Sequence, residues 1–362
     1  MKKIYIIALL LLMGKPGILL ADYVMLCTMS ESTQGRVFSF SDDGDISFLY
    51  SLTLTQGGEP QSIEFAPNGK WGMIGCNTTT WPPTQITTIL GIDENRLISV
   101  LGFVHNEYEK LVAISPNSRY GVYGDNLATL RFYSDNTFYP IPTTNPPTLA
   151  QLYADFSKLN NNLYARPSNY IIAEYTLQSD GTTTSTGWTM NINPSYGNTG
   201  IYISPDGRTC IVLSATTYVI TVFRVNEYGG LSLVQQFDNS ARYACVANYT
   251  PDSRYAIVSA IISGGGDDMW SYSIGPDSHL TEVDVINLPN APVGIAITHN
   301  GKYGVSRALI GAETYFYVMR IHEDGKLEYL PEKDYVCNGY VYNIAFAPPY
   351  KTETEPTWDM YE

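Results

Sequence analysis

Residues 200–214 read Gly-Ile-Tyr-Ile-Ser-Pro-Asp-Gly-Arg-Thr-Cys-Ile-Val-Leu-Ser. Two apolar runs, Ile201 to Ile203 and Cys210 to Leu213, flank the tetrapeptide Ser204-Pro205-Asp206-Gly207. Proline at the second turn position pre-sets φ at about −65°, and glycine at the fourth accepts the positive φ that other residues avoid. The stretch is a tight hairpin between two strands.

The same pattern recurs along the chain. It appears as Ile63-Glu64-Phe65-Ala66-Pro67-Asn68-Gly69, Ile114-Ser115-Pro116-Asn117-Ser118 and, in degenerate form, Ala154-Asp155-Phe156-Ser157-Lys158. Beyond the quoted copy come Asn248-Tyr249-Thr250-Pro251-Asp252-Ser253, Ile297-Thr298-His299-Asn300-Gly301 and Phe346-Ala347-Pro348-Pro349. Positions 67, 116, 158, 205, 251, 299 and 348 are therefore equivalent, at intervals of 42–49 residues. Each interval holds a second hairpin, such as Val222-Phe223-Arg224-Val225 leading through Gly229-Gly230, or Phe316-Tyr317-Val318-Met319 through Asp324-Gly325 to Leu327. Units of this length with four strands each predict an all-β, seven-bladed β-propeller with four antiparallel strands per blade.

The two ends predict how the ring closes. Residues 23–54 supply three strands without a preceding turn motif, and residues 341–347 supply a first strand with nothing after it. One composite N-/C-terminal blade, with Tyr23–Thr28 beside Val341–Ala347, would leave no exposed sheet edge in the ring. The propeller is expected over residues 22–350, with an acidic tail over 351–362.

Composition agrees. The 362 residues include 29 tyrosines and are only 15% charged, a balance suited to strands and turns rather than helices. Residues 1–21 differ: Met1-Lys2-Lys3 precedes the apolar run Ile4 to Met13, and Ile18-Leu19-Leu20-Ala21 ends on a small residue. That is the form of a secretory signal cleaved after Ala21, and Lys15 and Pro16 leave the apolar run too short to span a bilayer. The expected mature product is a periplasmic or secreted monomer with no membrane span. A net charge of −14 argues against nucleic acid as a partner and leaves protein or carbohydrate.

The five cysteines include no CxxC pair. Buried free thiols are the simple expectation; an oxidising compartment also permits a disulfide, with Cys27 and Cys337 the pair assigned to the closing blade.

With its turn motif repeated seven times, the chain resembles the lactonase-type seven-bladed propellers, which include 6-phosphogluconolactonase-like and YVTN-repeat proteins. The WD dipeptide and the kelch double glycine are absent. The resemblance implies a channel at the ring's centre and, in the enzymes, His, Glu and Arg side chains around it, with a histidine close to the start of a strand one. Here the comparable segments Glu59-Pro60-Gln61-Ser62, Asn198-Thr199-Gly200 and Ala291-Pro292-Val293-Gly294 contain no histidine, and His105 alone among the four lies near such a segment.

In this architecture the segments leading into strand one and the loops between strands two and three reach one channel rim. The residues they place there are Glu107 and Glu109, Arg242 and Tyr243, Arg307, and Asp267 with Asp268. Paired carboxylates raise each other's pKa, arginines fix anions, and Gly264-Gly265-Gly266-Asp267-Asp268 offers oxygen ligands for Ca²⁺ but lacks the alternating spacing of a cation loop. Trp81, Tyr108, Tyr218, Tyr243 and Tyr340 would add an aromatic rim. No Ser-His-Asp order, phosphate-binding glycine loop, metal cluster or cofactor motif is visible. The expectation is an exported binding or scaffold propeller using this rim, without a recognisable catalytic constellation; the alternatives are a sugar-lactone hydrolase and a metal-dependent hydrolase centred on Asp267 and Asp268.

Overall fold

The computed structural model describes residues 23–351 apart from 30–32, 55–58, 78–84, 107–111, 125–126, 142–153, 169–170, 193–199, 215–218, 239–241 and 263–266. The repeated turns have the predicted chemistry. At Gly207 the N–H donates to the Ser204 carbonyl at 2.7 Å, and φ is +77°. The Ser204 hydroxyl donates to Asp206 Oδ1 at 2.5 Å and accepts the Thr209 N–H at 2.9 Å, while the same Asp206 oxygen accepts the Arg208 N–H. Thr250 with Asp252 and Thr298 with Asn300 repeat this pair of locks. Side chains thus satisfy the backbone groups that a tight turn leaves over.

Two copies place serine where glycine is expected. Ser118 and Ser253 take φ of +59° and +58°, a strained region for an L-residue. Their side chains supply a compensation glycine cannot. Ser118 Oγ accepts the Asn68 N–H of the preceding blade at 3.0 Å, and Ser253 Oγ accepts the Asp206 N–H at 2.9 Å. At Gly207 the opposite holds, because an added Cβ would lie 2.4 Å from the Leu159 backbone N.

Seven antiparallel sheets result. Their inner strands are Glu59–Phe65, Val112–Ile114, Ala154–Phe156, Ile201–Ile203, Arg242–Tyr249, Ile295–Ile297 and Val341–Ala347, here blades one to six and the closing blade. In the closing blade Val341–Ala347 pairs with Tyr23–Met29, which continues into Gln34–Phe40 and Ile46–Thr53. Blade six departs from the four-strand expectation. Its outer edge is split: Leu327–Tyr329 and Tyr335–Asn338 both pair with Glu313–Ile321, on either side of a 3₁₀ turn at Pro331–Lys333. Pro331 has no N–H to give to a ladder, which accounts for the break.

The core lies in the seams between blades. Each neighbouring pair shares one buried apolar cluster. On Thr209–Leu213, Cys210 and Val212 enter the seam with blade three while Ile211 and Leu213 enter the seam with blade five. Alternate side chains serve opposite faces, so a strand buried on both sides reads as a continuous apolar run. Among the described residues no helix is long and apolar enough to cross a membrane.

Candidate functional site

The inner strands leave a central cavity of about 830 Å³ along the ring axis. The turn residues Pro67, Lys158, Pro205, Pro251, His299 and Pro348 line one end, and Arg307, Val293 and Tyr342 line the other. Between them, the residue three before each turn position aligns as Glu64, Ala113, Asp155, Tyr202, Asn248, Ala296 and Ala345. Six of these reach the cavity, as do the flanking Asn343 and Ala247, and two bring carboxylates: Glu64 from blade one and Asp155 from blade three.

Three polar side chains of this column also bridge to the next blade. Asp155 Oδ1 accepts its neighbour's Phe156 N–H, and Oδ2 accepts the Ile203 N–H of blade four, both at 2.8 Å. Asn248 Oδ1 accepts the Tyr249 N–H at 2.8 Å while Nδ2 donates to the Ile295 carbonyl of blade six at 3.2 Å. Glu64 accepts the Ile114 N–H of blade two. The geometry therefore fixes the carboxyls rather than leaving them to swing.

Their electrostatics are unusual. Burial below the channel mouths, and then the like charge of Asp155, raise Glu64 well above the ordinary carboxylate range, against the pull of the Ile114 N–H. Burial likewise pushes Asp155 up to about 7, opposed by the N–H groups of Ile203 and Phe156 and by the Lys158 ammonium. Two carboxyls so placed titrate as a pair and hold a proton between them at pH values where isolated acids hold none. Partial burial, and then Lys351, lower Lys158 from its usual value, against Asp155 and Asp206. His299 is held below the ordinary histidine value by burial, and its Nε2 lies 3.2 Å from the Phe346 carbonyl. A carbonyl only accepts, so Nε2 carries a hydrogen toward Phe346.

The sequence-based rim is met only in part. Arg307 lines the cavity, and its Nη1 donates to the Val341 carbonyl at 2.8 Å, tying blade six to the closing blade. Glu107 and Glu109 lie outside the described residues, as do Trp81, Tyr108 and Tyr218. Arg242 and Tyr243 are on the inner strand of blade five and Asp267 and Asp268 on strand Asp267–Ile274, with their side chains outside the described set; Gly264 to Gly266 lie outside it altogether. His105 ends the strand Ile98–Asn106, its side chain likewise undescribed. His322 sits at an outer turn and pairs with Glu328 at 3.2 Å. Among the described residues no group of three or more His, Cys, Asp or Glu side chains could hold a metal.

Glu64 and Asp155 were not among the rim residues. The signal was present in the aligned repeats, where one column between apolar residues reads Glu, Ala, Asp, Tyr, Asn, Ala, Ala. A carboxylate in such a column has no solvent face on a blade buried on both sides, so it must face the axis.

Solved structures share this architecture. A candidate 6-phosphogluconolactonase from Bacteroides uniformis superposes with a TM-score of 0.73 at 18% identity, over 90% of this chain and 99% of that one. The fold is that of the lactonase-type seven-bladed propellers. A second candidate 6-phosphogluconolactonase, from Bacteroides fragilis, matches with a TM-score of 0.71 at 14% identity, over 92% of this chain and 99% of its own. A periplasmic gluconolactonase from Pseudomonas aeruginosa matches with a TM-score of 0.70 at 15% identity, over 90% and 99%. At these identities the likeness establishes the propeller, while residue roles rest on the channel itself. No protein-family model and no curated protein matches the sequence.

Proposed function

We propose that this propeller is an exported binding protein whose central channel takes a small hydroxyl-rich ligand of the sugar or sugar-acid class. The observation that carries this reading is the Glu64–Asp155 pair inside a cavity of about 830 Å³, a volume in the range of small-molecule sites. Asn248 also bridges to the next blade without a charge, by donating to the Ile295 carbonyl, so blade docking alone does not require two carboxyls. A half-protonated pair offers a hydroxyl-bearing ligand one donor and several acceptors. Lys158 at one end and Arg307 at the other suit an anionic substituent. Export rests on the signal-like residues 1–21.

Lactone hydrolysis is the second reading, favoured by an Asp155 carboxyl titrating at about 7, close to the optimum for a general base at neutral pH. In that role Asp155 would take a proton from water as it adds to the lactone carbonyl, and the ring oxygen would leave carrying a proton. The solved neighbours described as lactonases support this reading at the level of fold.

Calorimetric titration of the mature chain with aldonolactones, aldonic acids and neutral monosaccharides tests both. Binding should weaken about tenfold in Glu64→Ala, the scale of one lost hydrogen bond. Affinity unchanged in that variant would place the ligand elsewhere. Turnover of a lactone, abolished by Asp155→Asn, would promote the second reading over the first.

A further inference from the structure

The seam between blade six and the closing blade contains a thiol pair. Cys27 lies on Tyr23–Met29 of the closing blade, whereas Cys337 lies on Tyr335–Asn338, the outer edge of blade six, so the sequence expectation that both belong to the closing blade is wrong for Cys337. Both are free thiols within one buried cluster, 0% and 2% exposed, and they hydrogen-bond to each other. Arg36, directly across the strand pair from Cys27, places Nη1 3.0 Å from Cys337 Sγ and 2.7 Å from the Asn338 carbonyl.

We propose that Cys27 and Cys337 form a disulfide that latches the ring shut. The hydrogen bond sets the sulfurs side by side, and the guanidinium identifies the attacking one. The Cys27 hydrogen bond and then Arg36 bring the Cys337 thiol down to about 7, while burial and then Cys337 raise Cys27. The co-reactant is a disulfide-bearing oxidant, either a small-molecule disulfide or a disulfide oxidoreductase. The Cys337 thiolate attacks one oxidant sulfur, breaking the oxidant's S–S bond and releasing one thiol. Cys27 then loses its proton and attacks Cys337 in the mixed disulfide, releasing the second thiol. Two protein thiols are oxidised and one disulfide is reduced to two thiols. Cys337 is on an edge strand flanked by the exposed Val336 and Asn338, so fraying of that strand admits the oxidant.

The cross-link would enclose residues 27 to 337, almost the whole propeller, and so restrict the unfolded chain strongly. It would also tie the non-covalently held N-terminal strand to the blade beside it.

The full chain, purified reduced and then held in a glutathione redox buffer, should lose two alkylatable thiols on acid quenching and unfolding. Peptide mapping without reductant should show Cys27 linked to Cys337, with Cys76 and Cys210 alkylated. Oxidised protein should melt roughly 4–10 °C above reduced protein, a difference absent in Cys337→Ser. Arg36→Met should form the bond several-fold more slowly. Full alkylation of both residues after oxidation, glutathione on either, or linkage to a different cysteine would overturn the proposal. Equal melting of the oxidised and reduced wild type would overturn the latch, whether or not the serine variant folds.

Discussion

A chain that stops at Tyr340 is expected to lose cooperative folding, or to melt at least about 15 °C below the full chain. Truncation there removes the strand Val341–Ala347, the inner member of the closing blade. Val341, Ile344, Phe346 and Ala347 are buried, and between them they contribute to both seams of that blade. Phe346 packs edge-on against Tyr23 and Phe40, with ring centroids 6.3 and 5.3 Å apart. Deleting a buried Phe side chain alone costs about 3–5 kcal/mol, and a whole domain is stable by only about 5–15. The truncation also bares Tyr23–Met29 as an apolar sheet edge, a template for aggregation. Circular dichroism melts and size-exclusion chromatography read both effects. A cooperative melt within about 3 °C of the full chain would contradict a ring closed by this pairing.

Glu174→Ala is expected to destabilise the protein by roughly 3 kcal/mol at pH 7, measured by urea unfolding. Glu174 is buried on blade three, where its Oε1 accepts from Asn162 Nδ2 at 2.9 Å, the Tyr164 hydroxyl at 2.7 Å and the Gly230 N–H at 2.8 Å. Its Oε2 accepts from the Thr186 hydroxyl at 3.0 Å. Gly230 belongs to a hairpin of blade four, so one carboxylate pins two blades together. Gly229 is confined by the same group, since a Cβ there would stand 2.9 Å from Oε1. Alanine would leave buried donors on Tyr164 and Asn162 without this acceptor. Burial works to raise the Glu174 pKa, but the four donors outweigh it and hold the value below the ordinary one. A depressed folded-state pKa gives stability that is present above the unfolded glutamate pKa and lost as pH falls through the folded value. The gap between variant and wild type should therefore narrow on acidification. A gap that widened below pH 4 would refute the role of the ionised carboxylate.

The propeller was legible because its turns carry their own chemistry. Ser204, Pro205, Asp206 and Gly207 each answer a local backbone demand, so the motif announces itself without tertiary information. Blade three was legible through spacing alone: Ser157-Lys158-Leu159-Asn160-Asn161 lacks both proline and glycine, and it reaches positive φ at Asn161, one residue later than its counterparts. The split edge of blade six was not legible, because pairing of Tyr335–Asn338 beside Glu313–Phe316 depends on where the chain goes after Pro331. Glu64 and Asp155 were hidden for a different reason. Each looks like an isolated acid in an apolar strand, and only rotation of the blades about a common axis brings two such residues to one cavity. Of the rim residues read from the sequence, Arg307 is the one whose side chain is seen to line that cavity.

The most direct test of the channel is the melting temperature of wild type and Glu64→Gln between pH 4.5 and 8. Glutamine retains an acceptor for the Ile114 N–H but cannot ionise. A carboxyl with a raised folded-state pKa favours folding while protonated, and that advantage is lost as pH rises toward the folded value. Wild type and variant should melt together at pH 4.5, and the variant should lead by roughly 2–4 °C at pH 8. A difference that stays constant across this range would show that the Glu64 carboxyl is not raised in the folded chain, and the channel reading would fall with it.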